Sequence, residues 1–97
     1  SNSIFIRIMN QLITELKQEI ISQLNLQDVS PDEIKDNAPL FGDGLGLDSI
    51  DVLELIVLLQ KKYGIKINGA DEGKTVFYSV KSMAEFIHAH QQKNLQK

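Results

Sequence analysis

Residues 40–64 read LFGDGLGLDSIDVLELIVLLQKKYG, a glycine-rich loop that runs directly into an apolar segment. Three glycines at alternate positions permit sharp turns or positive φ angles just before that segment. Asp48 or Ser49 can cap the amino end of a helix, and Gly64 can end it. The stretch therefore predicts a long helix from Ser49 to Tyr63.

The predicted helix over residues 49–63 is apolar on nearly every side, which is typical of a central helix or of one that keeps an exposed patch for a partner. One set of positions is better placed to face a core: Val52, Leu55, Ile56 and Leu59. A second apolar set runs beside the acidic residues of the helix and comprises Ile50, Leu53 and Val57. Periodicity alone leaves open whether this second set is core or surface.

The rest of the chain is also mainly helical in pattern. Apolar residues at spacings of three and four predict a first helix from about Ile4 to Leu24: Phe5, Met9, Leu12, Ile13, Leu16, Ile20 and Leu24. A final helix is predicted from about Ser79 to Gln91, with Val80, Met83, Ala84 and Ile87 on one face. Between these elements, residues 25–48 form a long loop with a helical turn at its Ser-Pro-Asp-Glu sequence, and residues 68–78 hold a short helix. The expected fold is all-α, a four-helix bundle with a long first loop and a short third helix.

Composition restricts the classes of function. The length of 97 residues predicts one domain, in which about residues 4–90 are structured. Residues 1–3 are typical of residues that an expression vector leaves behind, and residues 92–97 form a polar tail. A net charge of -3 disfavours nucleic acid as a partner, and the absence of cysteine excludes disulfides and thiolate metal sites. No apolar run is long enough to cross a bilayer, so a cytoplasmic location is expected. The chain is also expected to be a monomer.

The triplet Asp48-Ser49-Ile50, with Gly46-Leu47 before it and acidic residues after it, resembles the attachment motif of acyl carrier proteins, in which Asp-Ser-Leu opens the second helix. The resemblance extends over nearly the whole chain, because the order of helices and loops also matches that family. It implies that a separate phosphopantetheinyl transferase attaches 4'-phosphopantetheine to Ser49, and that acyl groups are carried as thioesters on the arm. A serine at a helix amino terminus is exposed, and we expect the unpaired backbone N–H groups there to favour a phosphodiester.

The same resemblance predicts partners but no catalytic or metal site. Carriers of this family present acidic residues to basic patches on ketosynthases, acyltransferases and other acyl-processing enzymes, and Asp48, Asp51 and Glu54 match those positions. The second apolar set would form the centre of the contact: Ile50, Leu53 and Val57. Many carriers continue with acidic residues where this chain has Gln60, Lys61 and Lys62, which predicts a shorter docking surface and a different choice of partner. The resemblance also suggests that an acyl chain is sheltered among Leu55, Ile56, Leu59 and Ile87.

Several alternatives stay open at this point. The chain could be a peptidyl or other specialised carrier, and residues 42–54 are similar to carriers of polyene and other secondary-metabolite pathways. An unmodified helical adaptor that binds through the apolar flank of its second helix is a rival from another class. A hydrolase is disfavoured, since there is no Gly-x-Ser-x-Gly elbow and only His88 and His90 could serve as an imidazole base. These two histidines point to nearly opposite sides of a helix, which also makes them poor joint metal ligands.

Overall fold

The computed structural model describes residues 2–42 and 44–95, and within these ranges the chain forms four α-helices and one 3-10 turn. Helix α1 spans Asn2–Leu24, α2 spans Ser49–Tyr63, α3 spans Ala70–Val76 and α4 spans Val80–Leu95. The 3-10 turn covers Pro31–Glu33 in the long loop between α1 and α2. The predicted all-α bundle with a long first loop and a short third helix is thus confirmed. Ser1, Asp43 and the last two residues of the predicted polar tail lie outside the described residues.

Helix α1 places the predicted apolar stripe against the bundle, with Met9, Leu12, Ile13, Leu16 and Ile20 buried. Phe5, the first residue of that stripe, differs from these five because its side chain is 46% exposed. Its ring meets the ring of His88 edge-on, with 5.1 Å between centroids, so Phe5 packs at the end of the bundle with one side in solvent. The helix also begins earlier than the Ile4 that its apolar pattern predicted.

The long loop is held by its own backbone hydrogen bonds rather than left structureless. The Leu47 N–H donates to the Leu40 carbonyl at 3.1 Å, and the Leu40 N–H donates to the Tyr78 carbonyl at 2.9 Å. The side chains of Ile34, Leu40 and Leu47 are buried in the core. These contacts fix the loop's last residues, and therefore the start of α2, relative to the rest of the bundle.

Two of the loop glycines adopt the left-handed conformation that the sequence anticipated, with φ of 65° at Gly42 and 73° at Gly46. Gly44 is required for a different reason. A Cβ atom at that position would overlap the carbonyl oxygen of Pro39. The glycines therefore allow the loop to double back immediately before α2.

Helix α2 packs against both α1 and α3. Its buried face consists of Val52, Leu55, Leu58 and Leu59, so Leu58 joins the predicted core set while Ile56 is only half-buried. At its carboxyl end, the Tyr63 hydroxyl donates to Glu19 Oε1 of α1 at 2.6 Å. Gly64 ends the helix with φ of 66°, as predicted from the sequence.

The segment between α2 and α4 contains the short helix that the sequence located only loosely. Ile65 and Ile67 are buried and Lys66 is exposed, so their alternation reflects packing of an extended segment without strand pairing among the described residues. Ser79 and Ser82 then exchange hydrogen bonds between side chain and backbone N–H, which starts α4 near the predicted position. Helix α4 continues to Leu95, beyond the predicted end at Gln91.

Candidate functional site

The amino end of α2 is capped by Asp48, which decides between the two capping residues that the sequence left open. Asp48 Oδ1 accepts hydrogen bonds from the backbone N–H groups of Ile50 at 3.0 Å and Asp51 at 3.2 Å. In return, Asp51 Oδ2 accepts from the Asp48 N–H at 2.8 Å. This reciprocal arrangement is a capping box, and it fixes the direction in which α2 leaves the loop.

Because Asp48 supplies the cap, the neighbouring serine is left available. Ser49 is the first residue of α2, its side chain is exposed, and no hydrogen bond to its hydroxyl is found among the described residues. The expectation that unpaired backbone N–H groups would hold a phosphodiester here needs correction. The Asp48 carboxylate already accepts from two of those groups and brings its own negative charge to the helix end.

A shallow groove opens beside Ser49, with a volume of about 400 Å³. Its other walls come from three parts of the chain: Phe41, Leu47 and Asp48 in the loop, Val52 on α2 and Lys74 on α3. The lining is largely apolar, and among the residues that the structure describes Lys74 is its one positively charged side chain. The groove can therefore accommodate an uncharged chain along its apolar side chains and a negative group near the lysine.

The second apolar set of α2 faces solvent. Ile50 is 71% exposed, Leu53 is 55% exposed and Val57 is 48% exposed. The question that periodicity left open is resolved by packing, since α1 and α3 cover the opposite face. The exposed stripe runs along α2 from the residue next to Ser49 and forms an apolar surface beside the candidate attachment point.

The acidic residues beside this stripe differ in their surroundings. Glu54 is exposed, and its carboxylate takes no part in the capping bonds of α2. Asp48 is also exposed and Asp51 is half-buried, and the carboxylates of both are engaged in the cap. Two of the predicted docking residues, Asp48 and Asp51, therefore also stabilise the amino end of α2. The structure places all six along the cap and the first half of this helix: Asp48, Ile50, Asp51, Leu53, Glu54 and Val57.

The histidines of α4 have separate aromatic neighbours, as their spacing predicts. His88 packs against Phe5, and His90 lies against Phe86 with 4.4 Å between ring centroids. Within residues 2–42 and 44–95, no group of three or more His, Cys, Asp or Glu side chains is arranged to hold a metal ion. No helix in this part of the chain has the length and apolarity that a membrane crossing requires.

Sequence reasoning missed two residues of the groove, Lys74 and Phe41. Phe41 belongs to the quoted loop, but no sequence pattern connected it with Ser49. Lys74 lies in α3, within the segment whose helix the sequence located loosely, and it is distant from Ser49 along the chain. Only the packing of α3 against α2 brings it to the groove, so no local pattern could have identified it.

Comparison with known proteins agrees with this geometry. The family model described as "Phosphopantetheine attachment site" matches residues 14–87, which include the whole of α2 and the groove. An acyl carrier protein of Brachyspira hyodysenteriae is 42% identical over 79 residues, which is 81% of this chain and 95% of that protein. Acyl carrier proteins of two other bacteria are also similar. The one from Sulfurovum sp. is 43% identical over 56 residues (58% of this chain, 69% of the relative), and the one from Campylobacter hominis is 32% identical over 77 residues (79% and 90%).

These matches cover most of this chain and most of the relatives, and the four described helices follow the order expected of such a carrier. Proteins of this kind carry a phosphopantetheine group and present acyl intermediates to enzymes, without being catalysts themselves. Fatty acid biosynthesis is the lipid metabolism typical of them. The chain, with its serine-headed central helix, belongs to the acyl carrier protein family.

Proposed function

We propose that this chain carries acyl groups as thioesters on a 4'-phosphopantetheine arm attached to Ser49 Oγ. The observation that carries the proposal is the exposed Ser49 hydroxyl at the first residue of α2, which the cap supplied by Asp48 leaves available. Ser49 also lies within the residues matched by the phosphopantetheine family model. The arm supplies a terminal thiol, and the protein supplies attachment and presentation.

The groove beside Ser49 fits such an arm. Its volume of about 400 Å³ falls in the range of small-molecule sites, and its apolar walls suit the aliphatic part of a pantetheine chain. Attachment forms a phosphorus–oxygen bond to Ser49 Oγ and breaks the pyrophosphate bond of coenzyme A. Adenosine 3',5'-bisphosphate leaves, and the proton of the serine hydroxyl is released to solvent. Because the transferase catalyses that step, Ser49 needs no activating base within this chain.

Intact mass spectrometry tests the attachment directly. After incubation with coenzyme A and a phosphopantetheinyl transferase of broad specificity, the wild-type chain should gain the mass of one phosphopantetheine group. Ser49→Ala should gain none, whereas Ser30→Ala, which alters another exposed serine at a helical start, should react like the wild type. A mass gain that persists in Ser49→Ala would refute the proposed site, and no gain in the wild type would favour the unmodified adaptor.

The docking surface that we propose consists of Asp48, Ile50, Asp51, Leu53, Glu54 and Val57. The exposed apolar stripe would bury against the partner, and the carboxylates beside it would attract basic patches on the transferase, ketosynthases and acyltransferases. Glu54 offers the cleanest test, because it is exposed and lies outside the capping box. Charge complementarity of this kind mainly raises the association rate, and salt weakens it.

Stopped-flow or surface-based kinetics with the transferase can test this surface. We expect Glu54→Lys to lower the association rate constant several-fold at low ionic strength, with most of the difference lost near 1 M salt. Glu85→Lys makes the same change of charge at an exposed position of α4 and should have little effect. Equal effects of the two variants would show that net charge, and not this face of α2, governs the association.

The pathway and the enzymes served are the finer part of the proposal. We propose delivery to fatty-acid or polyketide-type enzymes, and a copurification experiment with the loaded protein would distinguish these from a peptide-synthesising partner set. The exposed Lys61 and Lys62 near the end of α2 support the shorter docking surface predicted above. A cytoplasmic location and a monomeric state remain predictions.

Sheltering of the acyl chain also remains a prediction. Leu55, Leu59 and Ile87 are 0% exposed and Ile56 is half-buried, so an alkyl chain could enter only if these side chains moved apart. A chemical-shift comparison of arm-only and long-chain acyl forms should therefore show its largest changes at these residues. Unchanged shifts there would place the acyl chain outside the bundle.

A further inference from the structure

The attachment point proposed above is surrounded by negative charge. Asp48 and Asp51 cap α2, and Glu54 is exposed on the same part of the helix. A phosphodiester on Ser49 Oγ would add a further negative charge next to these carboxylates. The backbone cannot fully compensate for it, because the Ile50 and Asp51 N–H groups already donate to Asp48. A cation elsewhere in the chain that lies close to Ser49 would add compensation that these two N–H groups do not supply.

Lys74 is the cation that the fold brings to this position. It extends from the last turn of α3, is exposed, and lines the same groove as Ser49 and Asp48. The one ion pair within 4.0 Å among the described residues joins Lys17 and Asp36, so the Lys74 ammonium is not engaged by a described carboxylate. Its four-carbon stem gives the ammonium the reach and rotational freedom to follow a phosphate.

We propose that Lys74 binds the phosphodiester of the arm on Ser49 and thereby holds the attached arm along the groove between α2 and α3. The inference rests on the proposed function, since it needs the arm at Ser49. Lys74 acts here as a positioning residue. The alternative is that Lys74 only stabilises the carboxyl end of α3 through its positive charge. In that case its contribution to stability would be the same with and without the arm.

Nuclear magnetic resonance of the full chain before and after loading tests the contact. On conversion to the arm-bearing form, the Lys74 side-chain signals (Hε, Cε) should shift, while those of Lys93 should stay unchanged. Lys93 is a matched control because it is exposed in the last turn of α4 and does not line the groove. The phosphorus signal of the arm should also move in Lys74→Gln, remain near its wild-type position in Lys74→Arg, and be unaffected in Lys93→Gln.

Thermal stability provides a second readout that a structural role would not produce. The quantity to compare is the change in melting temperature between the unloaded and the loaded form of each protein. For Lys74→Gln this change should be less favourable than for the wild type by about 1–4 °C. Lys93→Gln should respond to loading like the wild type, and high salt should reduce the difference.

The outcomes separate the two proposals. If the wild type gains no arm by mass, the attachment to Ser49 fails, and this inference fails with it. If the arm attaches normally but loading leaves the Lys74 signals unmoved, and Lys74→Gln and Lys93→Gln respond alike, only the role of Lys74 is refuted. Normal loading with a selective response at Lys74 supports both.

Discussion

The two faces of α2 carry almost the same side chains but lie in opposite surroundings. Val52, Leu55 and Leu59 are 0% exposed, whereas the three residues of the other apolar set are 48–71% exposed: Ile50, Leu53 and Val57. Helices α1 and α3 cover the first face, and among the described residues no helix covers the second. The comparison shows that apolar character makes a residue suitable for burial, while the neighbouring elements determine whether burial occurs within the chain.

The difference has a functional consequence. The buried face stabilises the fold, because each leucine side chain removed from water contributes about 1.5–3 kcal/mol. The exposed face contributes little to folding, since its residues contact water in both the folded and the unfolded chain. A contiguous exposed apolar stripe flanked by carboxylates is instead typical of an interaction surface. One helix therefore serves the core and the proposed partners at the same time.

The largest expected effect is a difference in the free energy of unfolding when leucine is replaced by alanine on one or the other face of α2. Leu55→Ala should lower the free energy of unfolding by about 2–5 kcal/mol, because it leaves a cavity in the core. Leu53→Ala, on the exposed face, should change that free energy by no more than about 0.5 kcal/mol. Urea denaturation followed by circular dichroism measures both values. Similar losses in the two variants would mean that the exposed face is covered in solution.

A second prediction concerns how α3 approaches the buried face. A Cβ atom on Gly73 would lie 2.9 Å from Val52 Cγ1, and the buried, β-branched valine has little freedom to move. Gly73→Ala should therefore destabilise the fold by about 1–2 kcal/mol, although alanine favours a helix by about 1 kcal/mol over glycine.

The double variant with Val52→Ala provides the control for Gly73. Removing the valine methyl groups should relieve the overlap, so the cost of Gly73→Ala should fall by at least about 0.5 kcal/mol in that background. Denaturant unfolding of the four proteins completes the cycle. An additive result, or a stabilising Gly73→Ala, would contradict the close packing of α3 on α2.

The smallest expected effect is at the carboxyl end of α2, where a polar bond joins the helix to α1. Tyr63→Phe removes the hydrogen bond to Glu19 and should cost about 1 kcal/mol. Tyr78→Phe is a suitable control, because Tyr78 is 55% exposed and its hydroxyl has no hydrogen bond among the described residues. Thermal unfolding of the two variants at neutral pH compares them.

The same bond predicts a pH dependence. Burial, and then the hydrogen bond and charge of Glu19, raise the pKa of Tyr63 above the usual value of 10.0. A raised pKa in the folded chain favours the protonated tyrosine, so its contribution is complete below pH 10 and is lost as the pH rises beyond it. The difference in melting temperature between wild type and Tyr63→Phe should therefore be constant up to about pH 9 and shrink at higher pH. A difference that grows with pH would contradict this assignment.

Local patterns were sufficient where one helix and its ends were concerned. The glycine-rich loop, the polar cap and the closing Gly64 predicted α2 from Ser49 to Tyr63, and the structure has these bounds. The short α3 was predicted only loosely, because seven residues with a glycine among them leave little periodicity to detect. Spacing alone could not show that Phe5, at the start of the apolar stripe of α1, is 46% exposed.

The sequence by itself determined the helical class, the start of α2 and the serine at its head, because capping and periodicity depend on residues close together in the chain. Tertiary structure alone decided which apolar face of α2 is exposed, and it alone brought Lys74 to the groove beside Ser49. Both features arise from contacts between residues that are distant in sequence, and such contacts form only when the helices pack.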